Sequence, residues 1–184
     1  MRPTTSQPAS GIGQVPGSGA RGRRARRGRG TAVAYLLAAA TAAALAIDAV
    51  VHLQDAYFYD ANTGALLSQG QLFRIQAVVA IVAALAVLAW PKRWQPWLFA
   101  ALVAGSAAVA VVAYTYIDIG PLAGLPSMYE PSWGPPGKLV SAIAEGVGAL
   151  LAIAGFCWAL ATRRRSARPR HAAAGAGEVA GGQG

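Results

Sequence analysis

The sequence predicts an all-α integral membrane protein, an up-down four-helix bundle with disordered termini. Four apolar stretches are each long enough to cross a hydrocarbon core of about 30 Å at about 1.5 Å per residue. They cover roughly residues 31–53, 70–90, 96–117 and 138–160. Hydrophobic residues make up 55% of the chain and charged residues only 12%, with most charges outside these stretches, as burial in lipid requires.

The charged residues also predict an orientation. Of the 16 Lys and Arg, 14 lie in the N-terminal tail, the 91–95 turn or the C-terminal tail, whereas six of the seven Asp and Glu lie in or near the other two loops. Because Lys and Arg accumulate on the cytoplasmic side of a membrane, we expect both termini in the cytoplasm. The same pattern places loops 54–69 and 118–137 on the outer side.

The first span follows a basic segment. Residues 1–30 are rich in Gly, Pro, Ser and Arg and have no apolar periodicity, so we predict a disordered cytoplasmic tail. The apolar stretch after it also resembles a secretory signal, since Ala44-Leu45-Ala46 is similar to a cleavage site. It continues through Val51, beyond a typical apolar signal core of about 7–15 residues. We therefore expect this span to be retained.

The connection between the second and third spans is very short. Trp90-Pro91-Lys92-Arg93-Trp94 combines a helix-ending proline, two cations and tryptophans suited to the depth of the headgroups. A turn of this length predicts that the two spans are antiparallel neighbours.

The loop before the fourth span is unusual in composition. Residues 118–137 include five prolines, which exclude a helix or a central strand but stiffen the chain. We expect an ordered cap on the bundle, with Tyr129 and Trp133 as its contact surface. Three glycines in the fourth span favour close helix packing. Residues 161–184 are predicted to be a second disordered cytoplasmic tail.

Ionisable residues inside the predicted spans are the best functional clue, because they are unfavourable in lipid and therefore face the bundle interior. Asp48, His52 and Asp55 have i, i+4, i+7 spacing on one stripe of the first helix, and Ser141 shares a face of the fourth with Glu145. The orientation above places all of them in the outer half of the membrane. We predict one cluster, a ligand site or an ion-pair network, of Asp48, His52, Arg74, Asp118 and Glu145.

Three interpretations of this cluster are open. In the first, Arg74 pairs with Glu145 or Asp48, His52 donates to a carboxylate, and the network only fixes the helix register. In the second, the cluster binds a small polar solute or a divalent metal such as Zn²⁺, with His52, Asp48 and Glu145 as candidate metal ligands. In the third, His52 and Glu145 relay protons.

Several functional classes lack their motifs. The sequence has no phosphate-binding loop, nucleophile elbow, HExxH motif or Cys pair, and a triad of Ser141, His52 and Asp48 has no motif context. We therefore expect neither an enzyme nor a cofactor, a metal excepted. The net charge of +9 arises mostly in tails without aromatic residues, so we expect contact with the lipid bilayer and no specific nucleic acid.

One pattern extends over the first two spans. Val51-His52-Leu53, followed after a loop by Gly70-Gln71-Leu72-Phe73-Arg74-Ile75-Gln76, resembles small four-span membrane proteins of actinobacterial type, which have no assigned activity. The resemblance implies a four-helix bacterial plasma-membrane protein and makes His52, Phe73 and Gln76 family positions.

These observations lead to two functional hypotheses. The first is a non-enzymatic accessory or interaction subunit of a larger membrane complex, with a structural polar cluster and with Tyr129 and Trp133 in contact with the partner. The alternative is binding or transport of a small polar solute, a metal ion or a proton through the cluster. The sequence predicts neither the identity of a partner or ligand nor the oligomeric state.

Overall fold

The computed structural model describes residues 18–135 and 137–167, with side chains described between residues 30 and 164. In these residues the chain folds into four helices: α1 (Ser18–Ala56), α2 (Gln69–Ala89), α3 (Trp94–Tyr116) and α4 (Lys138–Ala167). Each helix contains a stretch long and apolar enough to cross a membrane: Gly30–Ala56, Gln69–Ala89, Trp94–Tyr116 and Lys138–Arg164. The predicted fold is confirmed, and the protein has the architecture of a multi-pass membrane protein.

The two predicted tails are partly helical. α1 begins at Ser18 rather than near residue 31, and α4 continues to Ala167. Arg and Ala have high helix propensity, and an existing helix extends without a new nucleation step. The rest of the predicted tails, residues 1–17 and 168–184, lies outside the described residues.

The four helices form a ring in chain order. α1 packs against α2 and α4, α3 packs against α4, and a smaller contact joins α2 to α3. The core consists mainly of alanines, with Leu45, Val87 and Trp97 as the largest fully buried apolar side chains. Small side chains let helix backbones approach closely, which favours association in lipid.

The two ends of the bundle differ. The turn end carries the short connection between α2 and α3, where the Trp97 indole N–H donates to the Pro91 carbonyl at 2.9 Å. The loop end carries loop 1 (residues 57–68) and loop 2 (residues 117–137). The N-terminus of α2, which follows loop 1, is closed by a capping box. Ser68 and Gln71 each donate a backbone N–H to the side chain of the other.

Loop 1 and loop 2 are ordered against each other. The Asn62 side-chain amide donates to the Ser127 carbonyl at 2.8 Å, and the Leu66 N–H donates to the Gly124 carbonyl at 2.9 Å. These bonds link the two loops directly. The proline-rich loop therefore packs against loop 1, and its role as a cap on the bundle stays a prediction.

Candidate functional site

Three ionisable side chains converge between α1 and α4. Asp48 is fully buried, Glu145 is 2% exposed and the His52 side chain is 13% exposed. Each offers a potential metal-binding atom, and these atoms lie within 4.8 Å of one another. Together with Ser141, we call them the α1–α4 cluster. By helical rise its members lie about 4–12 Å from the loop end of their helices, with Asp48 and Glu145 the deepest.

Asp48 is the centre of the hydrogen bonds in this cluster. Its Oδ1 accepts the Ser141 hydroxyl at 2.8 Å, and its Oδ2 accepts the Gln76 side-chain amide at 3.3 Å. His52 Nδ1 lies 2.9 Å from Asp48 Oδ1 and 3.1 Å from the Asp48 carbonyl oxygen. Because both neighbours are acceptors, Nδ1 must carry a hydrogen. Nε2 is therefore the basic nitrogen of the neutral ring.

The carboxylate of Glu145 has fewer hydrogen-bond partners than that of Asp48. Its Oε1 lies 3.1 Å from Ser141 Oγ and 3.9 Å from His52 Nε2, and the second distance is too long for a hydrogen bond. Its Oε2 is buried without a hydrogen-bond partner among the described residues. Ser141 has one hydroxyl hydrogen and cannot donate to both carboxylates. The shorter contact is to Asp48, so Glu145 has at most a shared donor in Ser141, and its carboxyl group also contacts that of Asp48.

Two of the five residues predicted to form this cluster lie elsewhere. Arg74 pairs with neither Asp48 nor Glu145, but forms two 2.7 Å hydrogen bonds with Asp60 of loop 1 at the surface. These bonds hold the pKa of Asp60 below its ordinary value. Asp118 instead accepts the backbone N–H of Gly120 within loop 2, at 3.1 Å.

The cluster has no basic partner except His52. In the described part of the chain, no Lys or Arg forms an ion pair with it. Lys138, at the start of α4, instead donates to the carbonyls of Glu130 and Ser132, at 2.5 and 2.8 Å. Two carboxylates thus share a single imidazole, and the cluster carries excess negative charge when both acids are ionised.

Side chains from α2 complete the surroundings. The Phe73 ring lies edge-on to His52, with ring centres 5.0 Å apart, and the Tyr59 ring lies 5.2 Å from Phe73. Gln76 reaches Asp48 from the next turn. Sequence reasoning gave Gln76 no part in the cluster, although an amide inside an apolar span was a usable signal.

Ser141, His52 and Asp48 meet in the structure, but not as a catalytic triad. Ser141 Oγ lies 3.5 Å from His52 Nδ1, the ring nitrogen that also faces Asp48, and its hydroxyl donates directly to Asp48. In a triad the serine faces the ring nitrogen opposite the carboxylate. The arrangement therefore does not activate Ser141 as a nucleophile.

The two predicted contact residues of loop 2 differ in their surroundings. Tyr129 is 40% exposed. Trp133 is partly buried: its indole N–H donates to the Tyr116 hydroxyl at 3.2 Å, and the Lys138 ammonium lies 5.2 Å from the centre of its ring.

The chain matches no protein-family model, no curated protein and no solved structure. Its function is therefore inferred from the contacts of loop 2 and of the α1–α4 cluster.

Proposed function

We propose that this protein binds a cation in the α1–α4 cluster, inside a plasma-membrane bundle whose termini are cytoplasmic. The observation that carries the proposal is the donor set of the cluster: ligand atoms of Asp48, His52 and Glu145 lie within 4.8 Å of one another, and in the described part of the chain His52 is the one basic side chain that pairs with the two acids. An ionised acidic side chain costs up to about 2.5–3.5 kcal/mol at the centre of the bilayer on insertion scales, and less toward the interface. A bound cation compensates this charge.

A purely structural polar network explains the geometry less well. Networks that fix helix register satisfy their buried polar atoms, because a partly satisfied network is unfavourable. Here Glu145 Oε2 has no hydrogen-bond partner within residues 30–135 and 137–164. Arg74, the cation that would complete such a network, binds Asp60 instead.

The distribution of charge supports the proposed orientation. Lys92 and Arg93 lie at the turn end, and Arg163 and Arg164 lie at the same end because α4 runs antiparallel to α3. The acids of loops 1 and 2 lie at the opposite end. Under the positive-inside rule, the turn end faces the cytoplasm and the cluster lies in the outer half of the bilayer.

Thermal unfolding of the full-length protein in nanodiscs, with Na⁺, Mg²⁺, Ca²⁺, Mn²⁺ or Zn²⁺ added in turn, tests this proposal. We expect at least one cation to raise the Tm, because a ligand at about 100 times its Kd adds about 2.7 kcal/mol of stability. An Asp48→Asn/Glu145→Gln double variant should lose that rise. An Asp118→Asn/Glu130→Gln variant removes the same two charges from loop 2 and should keep it.

Two results would contradict the proposal. The first is a wild type whose Tm responds to none of these cations. The second is a cluster variant that responds to a cation as strongly as the wild type and the loop 2 variant do.

One observation favours a second candidate function, contact with a protein partner in a larger membrane complex. Tyr129 is exposed on an ordered loop, so an aromatic side chain is presented on a stiff surface. Tyr129→Ala should release a copurifying partner without lowering the Tm. Trp133 is a poorer probe because its replacement also disrupts the contact with Tyr116. If Tyr129→Ala leaves every copurifying protein bound, this candidate fails.

A further inference from the structure

We infer that the cation is a divalent transition metal of the Zn²⁺ type, bound directly by His52 Nε2 and the Glu145 carboxylate, while Asp48 orients the imidazole. This inference rests on the proposed cation site and specifies its ligand. It follows from the donor atoms, from the hydrogen bonds around the imidazole and from the gap between the two ligands.

The donor atoms favour a metal that accepts nitrogen. A neutral imidazole suits Zn²⁺, Cu²⁺, Fe²⁺ and Ni²⁺, whereas Ca²⁺ takes about 6–8 oxygen ligands and Mg²⁺ an octahedron of oxygens. The cluster offers few free oxygens, because both oxygens of Asp48 already accept hydrogen bonds from Ser141 and Gln76. Among the described side chains of the cluster, the oxygen without a hydrogen-bond partner is Oε2 of Glu145. One nitrogen and one carboxylate therefore form the available donor set.

The hydrogen bonds around His52 match those of a metal ligand. Metal-binding histidines almost always donate their second ring N–H to a carboxylate or a backbone carbonyl, which fixes the ring and its tautomer. Both acceptors face His52 Nδ1, since Asp48 Oδ1 lies at 2.9 Å and the Asp48 carbonyl oxygen at 3.1 Å. The Phe73 ring packs edge-on against the imidazole and limits its rotation. Nε2 is thus left available on the side of Glu145.

The gap between the two ligands is close to the one that a metal requires. His52 Nε2 and Glu145 Oε1 lie 3.9 Å apart. Two donors at about 2.0–2.2 Å from a tetrahedral Zn²⁺ lie about 3.4 Å from each other, so a closure of about 0.5 Å suffices. A direct hydrogen bond would require about 2.7–3.2 Å. Two protein ligands leave the other coordination positions of the metal to water or a bound solute.

Zn²⁺ titration of the full-length protein in nanodiscs, in competition with a chromophoric chelator, tests the ligand set. We expect one Zn²⁺ per chain and no competition from Mg²⁺ or Ca²⁺. His52→Asn and Glu145→Gln should weaken binding at least about 100-fold, because each removes a ligand. Asp48→Asn should weaken binding about 10–100-fold, the range seen when the carboxylate behind a metal-binding histidine is removed. Asp118→Asn is the control and should bind like the wild type.

X-ray absorption at the zinc edge identifies the atoms that bind the metal. A variant that has merely lost its structure would not show the same selective loss of one nitrogen ligand. The wild type should show one imidazole nitrogen among oxygen ligands, Asp48→Asn should retain that nitrogen, and any zinc bound to His52→Asn should lack it. A His171→Asn variant should keep the same nitrogen signal, so the ligand is assigned to His52 even if the His52 variant does not fold.

The possible outcomes separate the two proposals. Stabilisation by Na⁺, Mg²⁺ or Ca²⁺ without Zn²⁺ binding overturns the present inference and leaves the cation site in place. No response to any cation overturns both. An all-oxygen spectrum in the wild type, or equal Zn²⁺ affinity in the wild type and His52→Asn, also overturns the assignment of the ligands.

Discussion

Replacing Glu145 with glutamine should stabilise the cation-free protein, although most changes at buried positions destabilise. Glutamine keeps the size of the side chain and can still contact Ser141, but it removes the negative charge. If Glu145 were instead one half of a structural ion pair with His52, the same change would remove an attraction and lower stability. The sign of the change in unfolding free energy therefore distinguishes a cation site from an ion pair.

The expected magnitude follows from the surroundings of Glu145. Its side chain is 2% exposed, its Oε2 has no hydrogen-bond partner in the part of the chain that the structure describes, and His52 Nε2 lies 3.9 Å from its Oε1. A buried polar group without a partner costs about 1–3 kcal/mol, and more when it is charged. Glutamine is also a buried polar group, so the gain comes only from removing the charge, and we expect it to be on the order of 1–3 kcal/mol at a pH where Glu145 is ionised. Breaking a true buried ion pair would instead cost about 3–5 kcal/mol.

Reversible unfolding in mixed micelles, with a chelator present and no added divalent cation, measures this difference. Glu130→Gln makes the same chemical change in loop 2 and should alter stability by less than about 0.5 kcal/mol. A loss of 1 kcal/mol or more in Glu145→Gln (roughly a fivefold change in the folded-to-unfolded ratio), with Glu130→Gln unchanged, would refute the cation-site reasoning.

Two further predictions concern packing and pH. Gly155→Ala should destabilise the bundle by about 1–3 kcal/mol, because its Cβ would collide with the Trp97 ring, whereas Gly146→Ala, with no neighbour within 4 Å, should be neutral or slightly stabilising. Equal Tm values for the two glycine variants would contradict this packing. The Arg74 bonds hold the pKa of Asp60 below its ordinary value, so their small stabilisation is present above that ordinary value and is lost as the pH falls through the lowered one. Asp60→Asn should remove this acid-dependent component from the unfolding curve, and superimposable wild-type and variant curves would argue against it.

The spans were predictable because apolar length and charge segregation are local properties of the chain. Predicted and observed span ends agree within a few residues, and Pro91 marks the end of α2 in both. The start of α1 at Ser18 was not predicted, since an Arg- and Gly-rich segment has no apolar periodicity to reveal a helix. Its helix continues from an apolar neighbour rather than from its own pattern.

The candidate site was predictable only within single helices. Asp48 and His52 share a stripe of α1 through i, i+4 spacing, so their contact was readable from the sequence. Which faces of different helices meet depends on tertiary packing. For that reason the approach of Glu145 to His52 was only one of several options, and the pairing of Arg74 with a loop residue was missed. The contact of Gln76 with Asp48 depends on the same interhelical register.

The most direct measurement is anomalous diffraction at the zinc edge from crystals of the full-length protein grown with Zn²⁺. Our account predicts an anomalous peak between α1 and α4, about 2.0–2.2 Å from both His52 Nε2 and an oxygen of Glu145. Peaks found only at the protein surface, with His52 and Glu145 unchanged and metal-free, would contradict it.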